Sequence, residues 1–239
     1  MAWADHPRHQ LLEGLLRRLA SSPDAEAFTL RGGLRIRQLA GSPRPVLDAD
    51  LLCALPFAPA SVLRVLSAVL DAPVGDGVRF DADRLRVDPW FSAPGPGLRV
   101  EARGVAGSRS ERLVVDLRFG LPEAPAAPFR AGGGWIVGLR PEAMIARKLR
   151  VLADLGADRW RPKDLWDLEV LLGADGVCRA TLGAALEAAG APAALPAWVE
   201  RPTGRRRSRW AAFALYVGRP DLDATVAAVR DGLRRTHGR

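Results

Sequence analysis

The stretch of sequence that decides the fold is residues 28–52, FTLRGGLRIRQLAGSPRPVLDADLL. A short apolar run at its start leads through Gly32-Gly33 into an amphipathic segment, and a second apolar run at its end contains Asp48 and Asp50. This order predicts a strand, a glycine turn, a helix, a loop and a second strand.

The two aspartates are expected to lie on one face of the second strand. Side chains alternate along a strand, so Leu47, Ala49 and Leu51 should point to the opposite face. Two adjacent carboxylates repel each other and lose hydration unless a cation lies between them. Because Mg²⁺ binds carboxylates together with substrate phosphates, the pair predicts a magnesium site. The alternative is a surface hairpin with two solvated aspartates.

The glycine pair points to a phosphate group. Gly32-Gly33 lets the backbone turn sharply and approach a ligand closely. It also exposes backbone amides at the start of the predicted helix, where an anion binds favourably. One half of the stretch would therefore hold a triphosphate, and the other half would hold the metal that activates it.

Length and composition indicate a folded globular protein of one large domain or two small ones, with 239 residues of which 48% are hydrophobic. Cys53 and Cys178 lie far apart and are the only cysteines in the sequence. We interpret them as reduced thiols of a cytoplasmic protein. The polar start of the sequence and its short apolar runs predict neither a signal peptide nor a membrane span.

The charge balance favours a polyanionic partner. The net charge is +8 and the sequence pI is about 10.9, which is typical of proteins that contact nucleic acid. The densest basic run, residues 201–209 (RPTGRRRSR), lies between Trp198 and Trp210, and basic residues beside aromatic ones suit RNA or DNA. The alternatives are an arginine-rich composition set by a GC-rich genome and a solvated loop.

The spacing of apolar and turn residues predicts the other elements before residue 140. We expect helices at 9–20 and 61–70, an irregular meander of strands over 72–106, strands at 111–120 and 135–139, and a Pro/Gly-rich loop at 121–134.

One carboxylate interrupts the apolar strand at 111–120. Asp116 lies inside this run and Arg118 follows on the same face. A buried carboxylate is unfavourable unless it is paired or bound to metal. Asp116 is therefore either bound to a metal or the partner of Arg112 or Arg118.

Two helical segments after residue 140 carry further polar candidates. Residues 141–155 predict a helix with Lys148 beside its apolar stripe, where a lysine can extend its charged end to the surface. Residues 161–168, RPKDLWDL, lead into the next helix. Asp164 is interpreted as the cap of a helix that begins at Leu165, and Asp167 lies one turn along, where both side chains can share a face.

Taken together, these motifs resemble the AbiEii-type family of polymerase-β-like nucleotidyltransferases, known as toxin components of bacterial toxin–antitoxin systems. The resemblance is carried by LRGG at 30–33, DADL at 48–51, VDLRFG at 115–120, the lysine helix at 142–149 and RPKDLWDL at 161–168.

The resemblance implies an α+β fold in two domains. Residues 1–140 would form a nucleotidyltransferase core, a mixed twisted sheet with flanking helices, and residues 141–239 a mainly helical C-terminal domain. It also implies an enzyme that moves a nucleoside monophosphate from a nucleoside triphosphate (NTP) to an acceptor hydroxyl. RNA, at the tRNA 3′ end, is the expected acceptor, and an antitoxin protein is a possible partner.

The resemblance assigns a role to each candidate residue. Two Mg²⁺ ions would be held by Asp48 and Asp50, with Asp116 as the third carboxylate. The triphosphate would be bound by Gly32, Gly33 and Lys148, with assistance from Arg31. The full catalytic set is Asp48, Asp50, Asp116, Lys148 and Asp164, with Asp167 as the alternative to Asp164 at the active centre.

Some positions depart from the family pattern. Leu34-Arg35 follows the glycine pair where the family usually has small residues, and Ala49 replaces a bulky aliphatic residue. These changes leave the carboxylates intact but leave the acceptor and the nucleotide open. A transferase acting on a small molecule or a protein, and a non-catalytic nucleotide-binding module of the same fold, are therefore the alternative hypotheses.

Overall fold

The computed structural model describes residues 6–92, 95–120, 125–218 and 221–237. Contacts between Cα atoms divide the chain into two compact units. The first unit comprises Met1–Arg35, Pro45–Pro122 and Ala126–Leu139. The second unit comprises Ile36–Arg44, Glu123–Pro125 and Arg140–Arg239.

The first unit is built on a sheet with helices against it. Its helices are α1 (Pro7–Ser21), the start of α2 (Gly32–Ala40) and α3 (Pro59–Asp71). Its strands are β1 (Phe28–Arg31), β2 (Ala49–Cys53), β3 (Val78–Phe80), β4 (Arg86–Ser92), β5 (Gly95–Ala106), β6 (Arg109–Phe119), β7 (Ala126–Ala131) and β8 (Gly134–Leu139).

The strands form one mixed sheet in the order β3-β5-β6-β2-β1-β8-β7, and β4 also pairs with β5. β1 runs antiparallel to β2 and parallel to β8, whereas β2 runs parallel to β6. The prediction of an α+β fold with a mixed sheet and flanking helices is confirmed.

Alternating side chains give this sheet one apolar and one polar face. In β6, Leu113, Val115 and Leu117 are buried in the core of the first unit, while Asp116 and Arg118 alternate with them. The apolar stripe of α1 belongs to the same core, and burying each of its leucines contributes about 2 kcal/mol. The polar residues are thus left on the face opposite the core.

An unexpected arginine fixes the start of α2. Arg35 is buried, its Nε donates a hydrogen bond to the Leu139 carbonyl oxygen at 3.0 Å, and its guanidinium lies 4.1 Å from the centroid of the Phe129 ring. Burial lowers its pKa to about 10. Arg35 therefore anchors α2 to β7 and β8, which explains why a large residue follows the glycine pair.

The second unit is mainly helical, as predicted for the C-terminal part. Its helices are α4 (Pro141–Arg159), α5 (Pro162–Gly173), α6 (Arg179–Ala189), α7 (Ala197–Glu200), α8 (Arg205–Val217) and α9 (Leu222–His237). Helix α4 is interrupted at Gly156, whose φ is +63°. α4 packs on α5 and α6, and α9 packs on α5 and α6. Trp210 is buried in this unit.

Two predicted boundaries were wrong. Part of the expected loop at 121–134 is the strand β7, and residues 121–124 of that loop lie outside the described residues. β7 is an edge strand, where Pro128 is tolerated because no ladder hydrogen bond is needed on its outer side. Helix α5 begins at Pro162 rather than Leu165, because proline suits the first helical position.

Among the described residues, the structure contains no helix long and apolar enough to cross a membrane.

Candidate active site

Four charged residues lie side by side on the polar face of the sheet, one on each of four adjacent strands. The strand register pairs Arg31 with Asp50, Asp50 with Asp116, and Asp116 with Arg99. Residues paired in this way share a face of the sheet. We call Arg31, Asp50, Asp116 and Arg99 the charged row. The two carboxylates stand in its middle and an arginine stands at each end.

Asp50 is held against the turn between β1 and α2. Gly32 has a φ of +69°, and a Cβ atom at this position would overlap the Oδ2 atom of Asp50. Only glycine therefore permits both the backbone conformation and the position of the carboxylate. Asp50 lies beside the first turn of α2, whose dipole favours negative charge. Its contact with Arg31 is longer, 3.9 Å between Oδ1 and Nη2.

Asp48 lies one residue before β2, so the predicted strand position is displaced by one residue. Its side chain is partly buried, and its charge acts on Arg99. Asp48 and Asp50 are thus the two carboxylates at the start of β2.

Asp116 has a partner that the sequence analysis did not consider. Its Oδ1 accepts a hydrogen bond from Arg99 Nε at 2.8 Å, and its Oδ2 accepts one from Arg99 Nη2 at 2.7 Å. Hydrogen bonding to Asp116 and its charge raise the pKa of Arg99, and Asp48 adds to this effect. Arg112, one of the expected partners, instead donates to Glu101 at 2.9 Å.

Arg118, the other expected partner of Asp116, contacts an aromatic ring. Its guanidinium lies 4.8 Å from the centroid of the Trp90 ring. The ring lies over Gly97, where a Cβ atom would overlap it. Burial lowers the pKa of Arg118, the charge of Arg31 lowers it further, and Asp50 opposes both effects. Arg31 and Arg118 are therefore two cations near Asp50, an arrangement that suits a polyphosphate.

The carboxylates fit a magnesium ion in part. Within the described ranges, no group of three or more His, Cys, Asp or Glu residues is arranged to hold a metal. Asp48 and Asp50 provide the hard oxygen ligands that Mg²⁺ prefers, and Gly32 leaves the space in which the Asp50 carboxylate sits. Both oxygens of Asp116 already accept hydrogen bonds from Arg99. The fit therefore rests on the first two carboxylates.

The remaining candidates form a charged cluster in the second unit. Lys148 Nζ donates to Asp164 Oδ1 and to Asp167 Oδ2, each at 2.6 Å. Arg44 donates through Nε and Nη2 to Asp167, at 2.9 and 3.2 Å, and Arg161 Nε donates to Asp164 at 2.9 Å. Both aspartates are fully buried. Three cations thus surround two carboxylates.

The charges in this cluster stabilise one another. Burial alone would lower the pKa of Lys148, but the charges of Asp167 and Asp164 outweigh it and raise the pKa. Burial alone would likewise raise the pKa of Asp167, but Lys148 and Arg44 outweigh it and lower the pKa. The Lys148–Asp167 pair is therefore ionised at neutral pH.

Asp164 and Asp167 both contact Lys148, so this contact does not distinguish the two candidate aspartates. Asp164 lies in the first turn of α5 rather than at its cap, and no side-chain cap hydrogen bond is formed there.

Sequence reasoning missed Arg44 and gave Arg99 no specific role. Arg99 stood in an alternating strand, but only the register of β5 against β6 identifies its partner.

The mixed sheet, the Gly32 turn and the carboxylates beside it define a protein of the nucleotidyltransferase type. The chain belongs to the AbiEii family, because the family described as "Nucleotidyl transferase AbiEii toxin, Type IV TA system" matches residues 14–229. The predicted family is thereby confirmed. Membership supports an enzyme that uses a nucleoside triphosphate, in a family of toxins with antitoxin partners.

Two solved structures share the fold. JHP933 from Helicobacter pylori superposes with a TM-score of 0.61 at 15% sequence identity, covering 96% of this chain and 90% of its own. A candidate nucleotidyltransferase from H. pylori superposes with a TM-score of 0.59 at 16% identity, covering 96% of this chain and 93% of its own. No curated protein is similar enough to the chain to count as a match.

Proposed function

We propose that this protein transfers a nucleoside monophosphate from an NTP to a hydroxyl of RNA, at the tRNA 3′ end. The observation that carries the proposal is the position of Asp50 against Gly32 at the start of α2, with Asp48 two residues away and Asp116 on the next strand. A turn that binds phosphate beside carboxylates that bind metal is what nucleotidyl transfer requires. The protein would act in the cytoplasm, and an antitoxin protein would be its partner.

In this proposal the residues of the first unit bind and orient the NTP. The backbone amides of Gly32 and Gly33 and the guanidinium of Arg31 would contact the triphosphate. Arg118 would add a second cation, since the charges of Arg118 and Asp50 interact. These contacts would neutralise the triphosphate next to the carboxylates.

Asp48 and Asp50 would hold Mg²⁺, with Asp116 as the third carboxylate. When bound, two such ions lower the pKa of the acceptor hydroxyl and stabilise the leaving pyrophosphate. The protein's part is to fix the carboxylates, which the Gly32 turn does for Asp50 and Arg99 does for Asp116.

Lys148 is proposed as a further phosphate contact, with Asp164 as its support at the active centre. The ammonium group has three N–H donors, and two of them donate to Asp164 and Asp167. The third would donate to a phosphate oxygen. Asp164 and Asp167 would then keep Lys148 charged and oriented.

Label transfer tests the proposal. The protein is incubated with Mg²⁺, total tRNA and each α-labelled NTP in turn, and the RNA is separated on a denaturing gel. We expect label on tRNA with the native protein and none with the Asp48→Asn/Asp50→Asn variant. Arg112→Gln is a matched control, because it removes a charge from the same sheet face outside the charged row.

Other outcomes separate the alternatives. Pyrophosphate release without labelled RNA would indicate a small-molecule or protein acceptor. A shift in melting temperature with Mg²⁺ and NTP, without turnover, would leave a non-catalytic nucleotide-binding module of the same fold. Absence of both turnover and a shift would leave the fold alone. Each of these outcomes contradicts the RNA acceptor, and the last two also contradict the enzyme.

A further inference from the structure

Asp116 forms a closer ion pair with Arg99 than Asp50 forms with Arg31. Both oxygens of Asp116 accept hydrogen bonds, at 2.8 and 2.7 Å, whereas the contact of Asp50 with Arg31 is a single distance of 3.9 Å. The side chain of Asp116 is 16% exposed and that of Arg99 is 48% exposed. The carboxylate is thus mostly covered, and its partner reaches it from the solvent side.

A bidentate pair of this kind limits what else the carboxylate can do. Two parallel N–H···O bonds between a guanidinium and a carboxylate are strong and geometrically specific. A cation that needs an oxygen of Asp116 must therefore break at least one of the bonds to Arg99. Because Asp50 meets Arg31 only at the longer distance, Asp50 and Asp116 differ in how readily they can bind metal.

We propose that Arg99 is a positioning residue that occupies Asp116 until a divalent cation displaces it, so that Arg99 and the cation compete for one carboxylate. Before metal binds, Arg99 keeps Asp116 in line with Asp50 and offsets its charge. After displacement, the Arg99 guanidinium stands at the end of the charged row and can contact a phosphate of the nucleotide or the acceptor. The purpose of this exchange rests on the proposed function, but the competition itself concerns metal binding alone.

The same strands contain a pair that serves as an internal comparison. Arg112 on β6 donates to Glu101 on β5 at 2.9 Å, on the same face of the sheet but outside the charged row. If Arg99–Asp116 only joined the two strands, removing either arginine would have the same effect on metal binding. The proposal instead expects the two arginines to differ.

Mn²⁺ binding in the absence of nucleotide measures the competition. The ion is titrated into the full-length protein, and unbound Mn²⁺ is followed by electron paramagnetic resonance. We expect Arg99→Gln to bind Mn²⁺ about tenfold more tightly, which corresponds to about 1.4 kcal/mol. Arg112→Gln should stay within about twofold of the native protein, because single exposed charges act weakly at a distance.

Two further variants separate competition from general electrostatics. Arg99→Lys keeps the positive charge but loses the two parallel N–H donors of the guanidinium. We expect Mn²⁺ affinity to rise about threefold or more in this variant. In an Asp116→Asn background the effect of Arg99→Gln should shrink to less than about threefold, because the shared carboxylate is gone. Thermal melts of all variants verify that they are folded.

Equal effects of Arg99→Gln with and without Asp116 would overturn the inference, as would unchanged Mn²⁺ affinity in Arg99→Gln. The result is separable from the proposed function. Expected Mn²⁺ affinities in a protein that labels no acceptor would support the competition and contradict the transfer reaction. Label transfer that requires Asp48 and Asp50, with Mn²⁺ affinity indifferent to Arg99, would contradict the competition alone.

Discussion

At Lys148, one ammonium group neutralises two fully buried carboxylates, those of Asp164 and Asp167. Arg44 and Arg161 supply further hydrogen bonds. Buried charges of this kind are tolerated only while every member keeps its partner. The residue proposed to contact a phosphate is therefore also one on which the stability of the second unit depends.

Replacing this lysine should destabilise the protein independently of any activity. We expect Lys148→Met to lower the free energy of unfolding by about 3–5 kcal/mol, because two buried carboxylates lose a shared counterion. Urea denaturation followed by circular dichroism measures the change. Lys163→Met is the matched control, since Lys163 is exposed in the first turn of α5, and an unchanged midpoint is expected for it. Equal stability of the Lys148 variant and the native protein would contradict the role of the cluster.

The lowered pKa of Asp167 gives the same cluster a pH dependence. The unfolded chain takes up this proton at a higher pH than the folded protein does, so the stabilisation is complete above the unfolded pKa of about 3.9. It is lost as pH falls through the lower, folded pKa. We expect the free energy of unfolding to decline from about pH 4 downward, and to decline less steeply in Asp167→Asn. A slope indifferent to Asp167 would refute the assignment.

Among the elements, the turn from β1 into α2 does most to position the candidate site. It needs a positive φ at Gly32 and an open space for the Asp50 carboxylate at the same residue. Arg35 then fixes the following turn of α2 against Leu139 and Phe129. A change at Gly32 should therefore affect both folding and the carboxylate.

A pair of glycine variants can separate these two effects. Gly41 has a φ of +61°, and a Cβ there meets no described atom within 4 Å. We expect Gly41→Ala to lower the free energy of unfolding by about 1 kcal/mol from backbone strain alone. Gly32→Ala should lower the free energy of unfolding by more and should also weaken Mn²⁺ binding, because Asp50 must move. Urea denaturation and Mn²⁺ titration of both variants test this, and equal losses would mean that the contact with Asp50 carries no energy.

The same elements show what the sequence could predict. Local patterns predicted the strand, turn, helix and second strand, because alternation and paired glycines act over a few residues. The partner of Asp116 could not be predicted, since Arg99 lies seventeen positions away and meets it only through the register of β5 on β6. Strand β7 was predicted as a loop because it contains a proline. A proline is acceptable in a strand at a sheet edge, and only the order of the strands shows that β7 lies at an edge. Pro162 is a signal for the start of α5, but the interpretation of Asp164 as a cap placed that start too late.

At the scale of the whole molecule, the chain carries a net charge of +8. If RNA is the acceptor, affinity should fall steeply with salt because binding releases counterions from phosphates. The basic run at 201–209 provides exposed arginines between the end of α7 and the first turns of α8, Arg201 and Arg205 among them.

Arg201→Gln/Arg205→Gln should weaken tRNA binding and make its affinity less sensitive to salt. The slope of log affinity against log salt concentration should fall by about one for each arginine–phosphate pair removed. Filter binding between about 50 and 200 mM salt measures both quantities. Arg79→Gln/Arg84→Gln, two exposed arginines in and after β3, is the control for loss of charge alone. If both double variants lose the same affinity, the basic run has no specific part in RNA binding.

The most direct test of nucleotidyl transfer is to compare α-labelled and γ-labelled NTP in one reaction, with native protein and with Asp50→Asn. We predict that the α-label joins the acceptor while the γ-label leaves in pyrophosphate, one for each nucleotide transferred, and that Asp50→Asn abolishes both. Transfer of the γ-label to the acceptor, or transfer that persists without the Asp50 carboxylate, would contradict nucleotidyl transfer at this site.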